Sequence, residues 1–312
     1  MGRQGTVQLP SGRQVTIDAH GQRLTVVEVG GGIRAYSAGA LAVLDGYAEE
    51  EMCSGARGQV LAPWPNRLGD GVFEWGGHTL QTAITEVASH TAIHGLVRWA
   101  AWRIDDVAVD RASLGHRLHP QPGWPWTIDF SVSYLLTPEG LSVRTAVCNQ
   151  SDEACPLGLG WHPYLWAFGD LVDRATLTVP ARVAYLSDER GLPTGRYPVL
   201  GTDMDFTSAK TVGAARLDAC FTDLERGPDG RAIVELSSPD GSRSARVWVD
   251  RAYSHLMVFT GDTLADPARR RQGLAVEPMT GPPNLLRTGE GLITLGPGAT
   301  FEATWGVEVF NR

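Results

Sequence analysis

The sequence predicts an all-β protein, and three observations support this prediction. Thirty-seven glycines and 19 prolines divide the 312 residues at short intervals, which indicates many short elements separated by turns. Runs rich in β-branched and aromatic residues recur along the chain, whereas few segments show the 3.6-residue period of an amphipathic helix. No shift of composition marks a linker, so we expect residues 1–312 to form one large β-sandwich domain.

Charge and composition argue against several classes of partner. The net charge of −8 disfavours a nucleic-acid or anionic-membrane partner. No apolar run approaches 18 residues and the first ten residues lack an apolar stretch, so we expect no membrane span, no signal peptide and a cytoplasmic location. The four cysteines form no CxxC pair, and we expect free, mostly buried thiols: Cys53, Cys148, Cys155 and Cys220.

The first third of the chain reads as strands separated by glycine turns. Residues 72–75 and 78–80, separated by Gly76-Gly77, predict a hairpin. Residues 41–44, followed by Asp45-Gly46, predict a second hairpin. Further β-rich runs are 15–17, 24–29 and 33–36.

The middle and the end of the chain continue the same pattern. Residues 141–147 alternate with period two, as a half-buried strand does. His116 and His119 could suggest a metal site, but no further ligands lie nearby, so we interpret them as part of a surface loop. The other predicted strands are 102–104, 130–136, 245–249, 255–260, 289–295 and 300–309.

Glu277 stands where a predicted strand meets a proline. The apolar run 274–276 reads as the end of a buried strand, and Pro278 has no N–H to donate to a sheet ladder. We therefore expect the strand to end at Glu277 and to hold its carboxylate at the border of a rigid sheet, a suitable place for a catalytic carboxylate. A surface glutamate that ends a strand is the alternative interpretation.

Four other residues are candidates for a site, each with a structural alternative. Arg67 follows two prolines and offers donors suited to oxygen-rich ligands, or is a solvated charge. His94 and His162 could transfer protons or serve as structural hydrogen-bond partners. Asp218 lies in a mostly apolar stretch and is either salt-bridged or placed to accept hydroxyl donors. We also expect two or three of the ten tryptophans to face a ligand.

In combination, these landmarks resemble the aldose 1-epimerase (galactose mutarotase) family over nearly the whole chain. The residues that carry the resemblance are Asn66-Arg67, His94-Gly95, His162-Pro163-Tyr164, Asp218 and Glu277-Pro278. The resemblance implies a galactose-mutarotase-like β-supersandwich that needs no cofactor and acts on a monosaccharide. We expect no metal site, and a monomer or a homodimer. After Glu277-Pro278 the sequence Met279-Thr280 departs from the usual family pattern and resembles a bacterial branch that includes sulfoquinovose mutarotases.

For a mutarotase, the chemistry requires one base and one acid beside the C1–O5 bond of the sugar. The resemblance assigns Glu277 as the base and His162 as the acid, with Arg67, His94 and Asp218 binding the substrate. Two alternatives remain: a non-catalytic sugar-binding module, and a mutarotase for a phosphorylated or sulfonated hexose that uses Arg98 or the run 269–271. A glycosidase is disfavoured because it normally needs two carboxylates at the bond.

Overall fold

The computed structural model describes residues 8–311, and its regular structure is almost entirely β-strand. The first ten residues, which carried the expectation about a signal peptide, lie mostly outside this range. Within it, no helix has the length and apolar character needed to cross a membrane. The helical elements of the described chain are the single turn α1 (Leu285–Thr288) and the 3-10 turns Val172–Arg174 and Pro267–Arg269.

The strands follow one another with short connections. In the first half of the chain they are β1 (Gln14–Ala19), β2 (Gln22–Val27), β3 (Ile33–Ala38), β4 (Leu41–Ala42), β5 (Val60–Leu61), β6 (Arg67–Gly69), β7 (Val72–Trp75), β8 (His78–Gln81), β9 (Thr91–Ile93), β10 (Arg103–Val107), β11 (Arg111–Leu118), β12 (Ile128–Thr137) and β13 (Gly140–Asn149). In the second half they are β14 (Cys155–Leu157), β15 (Gly160–Trp161), β16 (Tyr164–Trp166), β17 (Thr176–Thr178), β18 (Ala181–Ser187), β19 (Pro193–Pro198), β20 (Lys210–Thr211), β21 (Asp218–Leu224), β22 (Ala232–Ser237), β23 (Arg243–Val249), β24 (His255–Phe259), β25 (Gly273–Met279), β26 (Ile293–Leu295) and β27 (Thr300–Asn311).

Two large antiparallel sheets enclose the core. One has the order β10-β11-β12-β13-β27-β23-β22-β17-β20, and the other has the order β19-β18-β21-β24-β25-β15-β5 with β16 also paired to β25. Their apolar side chains form one buried cluster, in which Trp161 of β15 lies 5.5 Å from Trp305 of β27 and 6.1 Å from Tyr134 of β12, measured between ring centroids. The prediction of an all-β sandwich is confirmed.

Strand β25 presents different residues to the two faces of its sheet. Leu274 and Val276 belong to the core cluster, so Glu277 points to the opposite face because side chains alternate along a strand. All seven residues of β25 are buried, so other elements must cover this second face as well. Glu277 is therefore a buried carboxylate that lies outside the core between the sheets.

The expectation that the strand ends at Glu277 is wrong, because β25 continues through Pro278 to Met279. Val276 N–H donates to Pro163 O and Thr280 N–H donates to Leu159 O, so even-numbered residues direct their N–H groups to the same side. An N–H at position 278 would point to that side as well, into the gap between β15 and β16, and Pro278 lacks only this N–H. The proline thus removes no ladder hydrogen bond there, and β24 pairs with β25 across it.

Several local predictions can be compared with the structure. The hairpin at Gly76-Gly77 is confirmed as β7 and β8. The hairpin at Asp45-Gly46 is wrong, because Asp45 is buried and binds Arg57 instead of turning the chain. His116 lies within β11 rather than in a loop, paired with Phe130 of β12. The thiols are free as expected: three are buried, and Cys148 is partly exposed.

Gly95 is required by the backbone, and its replacement should destabilise the fold. Gly95 has φ +70°, and a Cβ there would lie 2.0 Å from the carbonyl oxygen of Ala62. Gly21, in the β1–β2 turn, has the same φ of +70° but no heavy atom within 4 Å of a Cβ. We expect Gly21→Ala to lower the free energy of unfolding by about 1 kcal/mol and Gly95→Ala by roughly 3 kcal/mol or more. Chemical denaturation of both variants measures the difference, and equal losses would contradict the steric explanation.

Candidate active site

A cavity of about 400 Å³ lies over the face of the sheet that carries Glu277. Strands β21, β24 and β25 contribute to it, together with the loops around residues 54–57 and 263–269. All five residues singled out from the sequence line this cavity: Arg67, His94, His162, Asp218 and Glu277. They come from five separate segments of the chain, so the fold brings together what the sequence keeps far apart.

His162 and Glu277 are in direct contact at the bottom of the cavity. His162 Nε2 lies 3.2 Å from Glu277 Oε1, and the two side chains are 7% and 3% exposed. Burial raises the pKa of Glu277 well above its ordinary value, the charge of Asp218 adds to this, and Arg67 opposes it. Burial also lowers the pKa of His162 to about 3, with the positive charge of Arg57 adding to the effect. Both shifts favour the neutral forms, and one proton transfer from the carboxyl group to the imidazole would convert the neutral pair into an ion pair.

His94 is held in one protonation state by the backbone of Asn66. The N–H of Asn66 donates to His94 Nδ1 over 3.2 Å, and the N–H of His94 donates to Asn66 O over 2.9 Å. Burial lowers the pKa of His94 well below its usual value, so the ring is neutral and must carry its proton on Nε2. The ring stands edge-on to His162 with centroids 5.3 Å apart. His94 is thus a fixed hydrogen-bond donor, whereas Nδ1 of His162 has no partner among the described residues.

Arg67 is held by a carboxylate that was not predicted from the sequence, that of Glu86. Its Nε and Nη2 donate to Glu86 Oε2 and Oε1 over 2.7 and 3.0 Å, and Thr91 also donates to Oε2 over 2.8 Å. Burial alone would lower the pKa of Arg67, but the hydrogen bonds with Glu86 raise it. Strand β6 pairs with β9, which places Arg67 opposite Ile93 and next to the turn that carries His94. No local pattern in the sequence marks Glu86 as this partner.

Asp218 begins β21 and presents its carboxylate to the cavity. The residue is exposed there, and its carboxylate accepts no hydrogen bond within residues 8–311. The surrounding protein still removes enough water to raise the pKa of Asp218, while the charge of Arg67 opposes this shift. Asp218 is therefore available to accept a hydrogen bond from a ligand hydroxyl.

Arg57 and Tyr164 also line the cavity, although no sequence pattern predicted a role for either residue. Tyr164 stacks on His162 with centroids 4.9 Å apart and an interplanar angle of 12°. The guanidinium of Arg57 lies 4.5 Å from the centroid of the Tyr164 ring. Arg57 is 2% exposed and forms an ion pair with Asp45 over 3.0 Å.

Arg98 differs from the other arginines of the cavity. It is partly buried, lies 5.1 Å from the ring of Trp99, and has no carboxylate partner in the described part of the chain. Arg269, by contrast, is bound to Asp45 and Glu51.

Among the cavity-lining residues described, Trp99 is the single tryptophan, fewer than the two or three we expected. No group of three or more His, Cys, Asp or Glu side chains within residues 8–311 is placed to hold a metal ion.

The chain is similar to known proteins over most of its length. Residues 13–307 match the model of the aldose 1-epimerase family. YihR of Escherichia coli K12, an uncharacterized protein, is 33% identical over 289 residues, which cover 92% of this chain and 90% of YihR. An aldose 1-epimerase of Haemophilus influenzae is 26% identical over 244 residues, 73% of this chain and 69% of that one. A galactose mutarotase-like protein from Clostridium acetobutylicum has the same fold, with a TM-score of 0.83, 18% identity, and coverage of 96% and 95% of the two chains. The chain therefore belongs to the aldose 1-epimerase family.

Proposed function

We propose that this protein is a mutarotase that interconverts the α and β anomers of a hexose by acid–base ring opening and closure. The observation that carries the proposal is the direct contact of His162 and Glu277 in a buried cavity whose walls carry donors and acceptors for hydroxyl groups. Membership of the aldose 1-epimerase family supports it, as does the named activity of the Haemophilus influenzae relative.

The pair can supply both proton transfers that ring opening requires. Glu277 as a carboxylate takes the proton of the C1 hydroxyl while His162 as an imidazolium gives one to the ring oxygen, and the C1–O5 bond breaks to leave an aldehyde. Rotation about C1–C2 and the reverse transfers close the other anomer. The reactive ion pair contains the same number of protons as the neutral pair, because it differs only in which partner holds the shared proton.

The remaining residues favour and position this chemistry. The positive charge of Arg67 opposes the rise in the pKa of Glu277 and so favours its carboxylate form. The neutral His94 offers an Nε2–H donor beside His162, suited to the charge that develops on the ring oxygen. Asp218 accepts from a sugar hydroxyl and fixes the orientation of the ring.

Glu277→Gln tests the base. The amide keeps the shape of the side chain but cannot accept the C1 proton, so we expect kcat to fall by about 10²–10⁴-fold while sugar binding persists. Polarimetry with fresh α-D-glucose and α-D-galactose measures the rate, and calorimetric titration measures binding. Glu139→Gln, in the exposed β12–β13 turn, is the matched control. Unchanged turnover would exclude Glu277 as the base, and binding without any catalysis by the wild type would favour a non-catalytic sugar-binding module.

His162→Gln and His94→Gln separate the acid from the fixed donor. The amide nitrogen of glutamine can replace a donating Nε2 but cannot transfer a proton. We therefore expect His162→Gln to lower kcat by about 10²–10⁴-fold, and His94→Gln to lower it at least tenfold less. The same polarimetric assay compares them. The opposite ranking would assign the acid to His94.

A second candidate function is mutarotation of a hexose with an anionic substituent. The observation that favours it is Arg98, which carries a positive charge in the cavity without a carboxylate partner among the described residues. Burial lowers the pKa of Arg98, which indicates that its charge is poorly solvated. A phosphate or sulfonate would satisfy the donors of its guanidinium.

Arg98→Gln tests this second candidate. If Arg98 binds an anionic group, the variant should raise KM for a hexose 6-phosphate or 6-sulfonate by about tenfold or more, the value of one charge-assisted contact. KM for D-glucose should change less than threefold. Arg251→Gln, at an exposed position away from the cavity, is the control. Equal changes for neutral and anionic sugars would restrict the substrate to neutral hexoses.

A further inference from the structure

Three side chains form a stack that ends at the proposed acid. His162 covers one face of Tyr164 at a centroid distance of 4.9 Å, and the Arg57 guanidinium lies over the ring of Tyr164 at 4.5 Å. The far end of the stack is held by Asp45, whose Oδ2 accepts from Arg57 Nε over 3.0 Å. A cation that stacks on an aromatic face is attracted to it, so this contact restrains the ring of Tyr164.

Main-chain hydrogen bonds also connect the segments that carry these residues. Gly58 N–H donates to His162 O over 2.9 Å, next to Arg57, and Asp45 N–H donates to Tyr164 O over 2.8 Å. The phenol of Tyr164 donates to Gly55 O over 3.0 Å. Backbone and side-chain contacts thus join the same segments, and the stacking contacts connect the His162 ring to Arg57 through Tyr164.

We propose that Arg57 is a positioning residue of the active site, which holds the His162 ring against Glu277 through Tyr164 and whose charge keeps a surplus proton off the pair. The proposal rests on the proposed function, because it takes His162 and Glu277 as the proton-transfer pair. A pair that gains a surplus proton becomes an imidazolium beside a carboxylic acid, and no base remains. That state has a net positive charge, which the Arg57 cation disfavours, whereas the reactive ion pair is neutral overall.

Other charged and titratable groups also face His162. Glu277 on β25 attracts a proton to it, and Arg98 disfavours its charged form as Arg57 does. His94, which follows β9, is neutral and lies edge-on to the ring. Of the two arginines, Arg57 has the larger effect on His162 and the direct stacking route to its ring.

Charge and stacking can be separated with three variants. Arg57→Gln removes the charge and the stacking group and leaves Asp45 without this partner. The double variant Asp45→Asn/Arg57→Gln removes the ion pair as a unit. Arg57→Lys keeps the charge but loses the planar group. NMR titration of the His162 Cε1–H signal, assigned by its absence in His162→Gln, measures its pKa directly. The pH profile of kcat/KM reports the same proton in catalysis, and denaturation checks that each variant folds.

The expected order of the His162 pKa follows from the charges. Arg57→Gln should raise it by about one pH unit or more, because a cation is lost and an anion is exposed. The double variant should raise it less, and Arg57→Lys should leave it near the wild-type value with kcat lowered about threefold to tenfold by the looser ring. The acidic limb of kcat/KM should move to higher pH in the same order.

Three results would overturn the proposal. The first is a His162 pKa that stays constant in Arg57→Gln, and the second is equal shifts for Arg57→Gln and Arg57→Lys. The third is an effect on KM alone, which would make Arg57 a substrate-binding residue instead. Because the NMR titration needs no turnover, the role of Arg57 can succeed or fail independently of mutarotase activity.

Discussion

Glu277 is a carboxylate on a strand whose residues are all buried, and the rest of the site is arranged around that constraint. An ion transferred into the protein interior loses several kcal/mol of hydration, about as much as many whole domains have in net stability. Glu277 therefore has to be neutral or matched by charge. His162 at 3.2 Å allows either state, since moving one proton converts a neutral pair into an ion pair. The same burial strengthens every electrostatic contact with a ligand in the cavity.

The carboxylate partners of Arg57 and Arg67, two of the cavity arginines, protect this balance. Arg57 is bound to Asp45, and Arg67 is bound to Glu86 by two hydrogen bonds. A free guanidinium beside Glu277 would form an ion pair with it and lower its pKa, which would leave a weak base. With its own partner, Arg67 acts on Glu277 through space as the smaller, opposing influence. The site thus contains positive charge without neutralising the group it surrounds.

Period-two alternation, glycine turns and family motifs predicted much of the fold and the candidate site residues, because those signals are local in the sequence. The Gly76-Gly77 hairpin and the β-rich character of the chain are examples. Pro278 was misinterpreted because the side of a strand to which an absent N–H points depends on neighbours that the sequence does not reveal. The Arg57–Asp45 and Arg67–Glu86 pairs were missed because their members lie 12 and 19 residues apart with no periodic relation.

One backbone N–H distinguishes the two histidines of the cavity. Asn66 and His94 both have left-handed backbones, with φ +54° and +63°, and this geometry aims the Asn66 N–H at His94 Nδ1. That hydrogen bond exists only once β6 and β9 have paired, so folding itself places the His94 proton on Nε2. His162 has no such bond at Nδ1 within residues 8–311, and its partner at Nε2 is a group that can exchange a proton with it. Two rings of identical chemistry 5.3 Å apart are thereby suited to different tasks, one to fixed donation and the other to proton transfer.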